Sequence, residues 1–126
     1  MTTLLTDTNI VSIRFRRGHP LQDKCELLVG GHELAISFMT LAELHLWPRR
    51  NGWGEERRTS LRRHLESYVT LLPDETTCEL WSEISDECFA VGRPISPADA
   101  WIAATARQWS LTLVTPITGT SRPFPA

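Results

Sequence analysis

Three carboxylates in this sequence occupy positions from which chemistry can be done. Asp7 directly follows the run Leu4-Leu5-Thr6. Glu43 closes Thr40-Leu41-Ala42-Glu43, just after Ile36-Ser37-Phe38. Asp99 closes Ser96-Pro97-Ala98-Asp99. Each also has a purely structural use. Aspartate is a favoured N-cap. Thr or Ser followed three residues on by an acid is the capping-box pattern, and Pro97 would sit at the first helical position, where proline is preferred. Taken together the three mean more. If the apolar runs before Asp7 and Glu43 are neighbouring parallel strands, their carboxyl ends open on one crevice. Carboxylates meeting there repel and raise one another's pKa unless a cation neutralises them. Hard oxygen donors of this kind suit Mg²⁺ or Mn²⁺. Such an ion polarises a phosphate and activates water for in-line attack on it.

The elements that must position these acids are legible in outline. Strands are predicted at residues 3–6, 34–38, 68–72 and 111–114. Helices are predicted at 10–17, 21–29, 40–49, 55–67, 76–91 and 97–109, punctuated by Gly18, Gly30-Gly31, Asn51-Gly52, Pro73 and Gly92. In the fifth helix Trp81, Ile84, Cys88 and Val91 share one side, while Glu79, Glu83, Asp86 and Glu87 take another and read as solvent-facing. Strands alternating with helices predict an α/β/α sandwich around a central, mainly parallel sheet. The 126 residues fit a single domain, 1–126.

Composition excludes several classes. With 41% hydrophobic and 22% charged residues the chain is neither disordered nor fibrous. Its longest apolar run, Ala100-Trp101-Ile102-Ala103-Ala104, is far below the ~20 residues of a membrane span. The start, Met1-Thr2-Thr3-Leu4-Leu5-Thr6-Asp7, has neither the basic nor the apolar stretch of a signal peptide, so a cytoplasmic protein is expected. Cys25, Cys78 and Cys88 read as free thiols filling the core. The histidines at 19, 32, 45 and 64 lack zinc spacing.

Net charge is −2, unevenly spread. Residues 44–66 hold six arginines against three glutamates, whereas residues 74–99 hold seven acids against Arg93. A basic flank could grip phosphate and an acidic one metal, or both are solvated helix faces. Trp47 and Trp53, with the six arginines Arg49, Arg50, Arg57, Arg58, Arg62 and Arg63, are residue types that stack on and neutralise single-stranded RNA, the last four above all. Trp47 also suits a core or a dimer interface.

At three segments the chain resembles a PIN-domain ribonuclease, specifically a VapC-type toxin of a type II toxin–antitoxin pair. They are Leu4-Leu5-Thr6-Asp7-Thr8-Asn9-Ile10-Val11-Ser12, Ile36-Ser37-Phe38-Met39-Thr40-Leu41-Ala42-Glu43-Leu44, and Gly92-Arg93-Pro94-Ile95-Ser96-Pro97-Ala98-Asp99-Ala100-Trp101-Ile102-Ala103-Ala104-Thr105-Ala106. Leu111-Thr112-Leu113-Val114-Thr115 continues the match in order and spacing. The resemblance implies Mg²⁺- or Mn²⁺-dependent cleavage of RNA, a small cognate antitoxin as partner, and a homodimer. It makes Asp7, Glu43 and Asp99 catalytic, with Asp7 and Asp99 holding the metal. Thr8, or Asn9 beside it, would orient Asp7.

After Thr115 the text departs from the family. A fourth acid or amide is expected where Ile117 stands, no carboxylate follows Asp99, and residues 116–126 contain three prolines. A metal-dependent endoribonuclease is the leading expectation. The alternative is a catalytically impaired PIN domain that binds antitoxin or pairs with intact homologues. A nuclease acting on DNA would share the same metal chemistry.

Overall fold

A computed structural model describes residues 2–116. Ile117 and the rest of the divergent tail lie outside the described residues. The chain runs β1 (Thr3–Thr6), α1 (Thr8–Phe15), α2 (Gln22–Val29), β2 (Glu33–Ser37), α3 (Phe38–Asn51), α4 (Glu55–Leu65), β3 (Val69–Leu71), α5 (Glu75–Ala90), α6 (Pro97–Gln108) and β4 (Thr112–Val114). The strands form one sheet in the order β3-β2-β1-β4, and every neighbouring pair is parallel. Leu5 pairs with Ala35 on one side and Leu113 on the other.

Side chains alternate across a strand, so the sheet has two apolar faces. Leu4, Leu34, Ile36 and Val114 pack with Ile10, Val11 and Ile13 of α1, Cys25 and Val29 of α2, and Leu44 of α3. Leu5, Ala35 and Leu113 face the other way, onto Ile102 of α6. Behind α6, Ile84 and Cys88 of α5 meet Ala103 and Ala104. Small residues on α6 let the two helices approach closely. Helices thus cover both faces, as the alternation of elements predicts. Leu5, Ile10 and Ile36 are fully buried, each contributing roughly 1.5–3 kcal/mol.

Several local expectations are corrected. Helix α3 begins two residues before Thr40, because Ser37 is its cap and accepts the Thr40 N–H at 3.1 Å. The box between Thr40 and Glu43 is therefore not formed. The helix also runs past Arg49, carrying Pro48 inside it, to a left-handed Gly52 (φ 62°) whose N–H returns to the Pro48 carbonyl. Pro48 is buried in this helix and cannot donate the hydrogen bond of its position. Cys78 is exposed, whereas Cys25 and Cys88 are buried. Val91 caps α5 and is 57% exposed instead of joining its apolar side. Glu87 is half-buried and pairs with Arg107 of α6 at 3.4 Å. Among the described residues no helix is long and apolar enough to cross a membrane.

Candidate active site

The chain steps outward from β1 through β2 to β3, then crosses back to lay β4 on the other side of β1. That reversal places the crevice of an open α/β sheet beside the carboxyl end of β1. Asp7 stands there, its backbone N–H held by the Val114 carbonyl at 3.3 Å. It is the N-cap of α1, and its Oδ1 accepts the Ile10 N–H at 2.8 Å. The capping reading of Asp7 is correct, but capping does not exhaust its environment. Burial pushes its carboxyl up to about 6 from 3.8. The amides of Ile10 and Asn9 pull against that rise, and the negative fields of Asp99 and Glu43 add to it. The charges of the two other acids therefore reach Asp7.

Glu43 lies one turn into α3, on the helix that leaves β2. Its Oε1 is 2.5 Å from the Thr8 hydroxyl, which is also 3.2 Å from the Thr40 hydroxyl. A carboxylate only accepts, so the single Thr8 proton goes to Glu43 and Thr40 donates to Thr8. The sequence-based expectation that Thr8 orients Asp7 is corrected: its side chain turns to Glu43. Support for Asp7 comes from the Asn9 main chain. Asp99 opens α6, where its N–H bonds the Ser96 hydroxyl at 3.1 Å, and the residue remains exposed. Among the described residues, no three acidic, histidine or cysteine side chains close into a ready metal cage. The site is an open group of acids.

A groove of about 300 Å³ runs from this point between α1 and α3. Thr8 and Ser12 line it from α1, and Glu43, Leu46, Trp47 and Arg50 from α3. Positions 43, 46, 47 and 50 follow the i, i+3, i+4, i+7 pattern of one helix face. Trp47 is clamped by Trp53 and Phe15, with ring centroids at 4.6 and 6.1 Å. The four arginines of α4 singled out in the sequence are differently disposed. Arg62 pairs with Glu55 at 2.9 Å. The Arg58 Nε donates to the Trp53 carbonyl. Arg57 stacks on Trp53 at 3.8 Å, and Arg63 is exposed. Arg50 is one of the six arginines between residues 49 and 63 that the sequence offers for RNA contact, and the fold puts it in the groove. Its spacing of seven from Glu43 on one helix was the available signal.

The family model described as PIN domain matches residues 4–116. The chain belongs to the PIN-domain family. Its likenesses set it among the VapC-type PIN toxins. It is 31% identical over 124 residues to Toxin FitB of Neisseria gonorrhoeae, which covers 92% of this chain and 88% of that protein. The crystal structure of FitAcB from Neisseria gonorrhoeae matches with a TM-score of 0.76 at 28% identity, over 92% of this chain and 88% of the other. VapBC2 of Rickettsia felis, bound to a promoter DNA fragment, matches with a TM-score of 0.77 over 90% and 87%. At 24% identity, that last likeness speaks for the fold alone. In this PIN domain the acids at 7, 43 and 99 fall at the strand ends and helix starts that surround the crevice.

Proposed function

We propose that this PIN domain, a single domain spanning the chain, is a metal-dependent endoribonuclease and the cytoplasmic toxin of a toxin–antitoxin pair. One observation carries the reading: Asp7 stands half-buried at the carboxyl end of β1, tied to the Val114 carbonyl of β4, where burial first and then the charges of Asp99 and Glu43 raise its carboxyl to about 6. Folding brings these negative groups together at a cost, and a divalent cation would relieve it. The donor set is all carboxylate oxygen, which fits Mg²⁺ or Mn²⁺. Its openness fits too, because Mg²⁺ keeps several waters and takes one or two carboxylates plus substrate phosphate. Asp7 and Asp99 are the residues that would hold the ion. When bound, the ion supplies charge neutralisation and Lewis-acid polarisation of the phosphodiester.

The chain's own residues do the rest. Two amides hold Asp7 in place. The Thr8 hydroxyl aims Glu43, which orients the attacking water and takes its proton. The water oxygen bonds to phosphorus, the ester bond to the leaving oxygen breaks, and that oxygen is protonated from solvent. An RNA strand, a cognate antitoxin and a second copy of the chain are the proposed partners. The antitoxin rests on the likeness to Toxin FitB and on a similar structure, at 25% identity, solved as a toxin–antitoxin complex from Klebsiella pneumoniae. A second reading, a PIN domain that only binds partners, is favoured by Ile117 in place of a fourth acid.

Asp7→Asn and Asp99→Asn separate the two readings. Each is expected to keep a native circular dichroism spectrum and lose RNA cleavage at least a hundredfold, as removal of a group essential to transition-state stabilisation does. Parent-like cleavage by either variant would overturn the site assignment.

A further inference from the structure

We infer that the α1–α3 groove is a substrate subsite in which Arg50 grips an RNA phosphate flanking the cleaved one, while Trp47 forms the wall for the intervening nucleotide. The inference rests on the endoribonuclease reading. The groove starts at the candidate active site, because Thr8 and Glu43 belong to both. Glu43 and Arg50 are seven residues apart on α3, about 10 Å along the helix axis. That separation leaves room for a nucleotide between the cleaved phosphate and one held at Arg50.

The chemistry of the two ends differs as an anionic strand requires. The inner end holds the acids. The outer end holds Arg50, which is exposed and has no ion-pair partner among the described residues. This contrasts with Arg14, Arg62 and Arg107, which are paired with Glu26, Glu55 and Glu87. Between the ends the wall is apolar, from Leu46 and Trp47. Trp47 cannot turn freely, since Phe15 and Trp53 hold its ring and the Arg16 guanidinium lies 5.8 Å over it. A fixed aromatic surface next to an unpaired guanidinium suits an unstacked nucleotide, whose base or ribose lies on the ring while its phosphate meets the cation. An acidic segment of a protein partner is the competing occupant and is an outcome of the test.

The test measures binding of a fluorescent single-stranded RNA by the Asp7→Asn protein in EDTA, at several salt concentrations, with and without Arg50→Ala or Arg50→Lys. Cleavage by the parent and by Arg50→Ala is followed in parallel. Arg50→Ala is expected to weaken binding about tenfold. It should also lower the log–log salt slope by about 0.7, the value of one phosphate contact on a single strand. Arg50→Lys should retain the slope, because it keeps the charge. Trp47→Leu should weaken binding without changing the slope, since it removes stacking and no charge. Unchanged affinity and slope for Arg50→Ala, with the parent binding and cleaving RNA, would overturn the subsite and leave the nuclease reading standing. A parent that neither binds nor cleaves RNA would overturn both.

Discussion

Asp7 shows how one residue carries a structural and a chemical duty that pull in opposite directions. As a cap it satisfies the Ile10 amide. As a charge it is half-buried beside two other acids. Its folded-state pKa of about 6 lies above the ordinary 3.8, so the folded protein holds the proton more tightly than the unfolded chain. The resulting stability is fully present below pH 4 and is lost as pH rises through 6, a difference of up to about 3 kcal/mol. Asp7→Asn keeps the cap, because asparagine caps as well as aspartate, and removes the charge. In metal-free buffer its thermal midpoint should exceed the parent's by several degrees at pH 7.5 and by little at pH 4.5. Equal midpoints at both pH values would contradict the burial of a charged Asp7. Thr8 offers a second residue-scale prediction. Thr8→Val should lower kcat for RNA at least tenfold with little change in KM, while Thr8→Ser should restore it, because only the hydroxyl aims Glu43. A loss of KM alone would show that Thr8 contacts substrate instead. The acids were legible in the sequence because strand-end and helix-start patterns are local. The turn of Thr8 toward Glu43 was not, since it depends on how α1 and α3 pack across 35 residues of chain.

At the scale of elements, α4 is clasped to α1 by a polar and aromatic cluster that no sequence pattern announces. The Arg14 guanidinium donates to the Tyr68 hydroxyl at 2.6 Å and pairs with Glu26 at 2.8 Å. His64 Nε2 lies 3.1 Å from the same hydroxyl, and its ring meets Phe15. Burial first, and then the Arg14 charge, hold the His64 imidazole below its usual pKa. The neutral ring is thus the form that folding selects. Its contribution is present above the unfolded pKa of 6.5 and is lost as pH falls through the lower folded value. This sign is opposite to that of Asp7. His64→Gln, measured by urea unfolding, should lose less stability than the parent between pH 7 and pH 5. An equal or larger loss would contradict a buried neutral His64. Strand and helix order were readable because hydrophobic period and glycine breaks agree with the fold. The start of α3 was misread because Thr40 and Glu43 imitate a cap two residues inside a helix already capped by Ser37.

At the scale of the whole molecule, the parallel order β3-β2-β1-β4 turns three separate helix starts into one crevice. Neither net charge nor composition contains that information. What sequence supplied was the spacing of the acids and a resemblance to a PIN domain, and the fold matches the resemblance. The basic flank was readable only as a tendency. Packing and ion pairs engage most of the α4 arginines and leave Arg50 beside the acids. The most direct test of the central claim is incubation of the purified chain with a mixed RNA pool in Mg²⁺, in Mn²⁺ and in EDTA. Discrete cleavage products are expected with either ion and none in EDTA, with Asp7→Asn inactive throughout. Intact RNA under every condition, or products that persist in EDTA or with Asp7→Asn, would contradict a nuclease built on these three carboxylates.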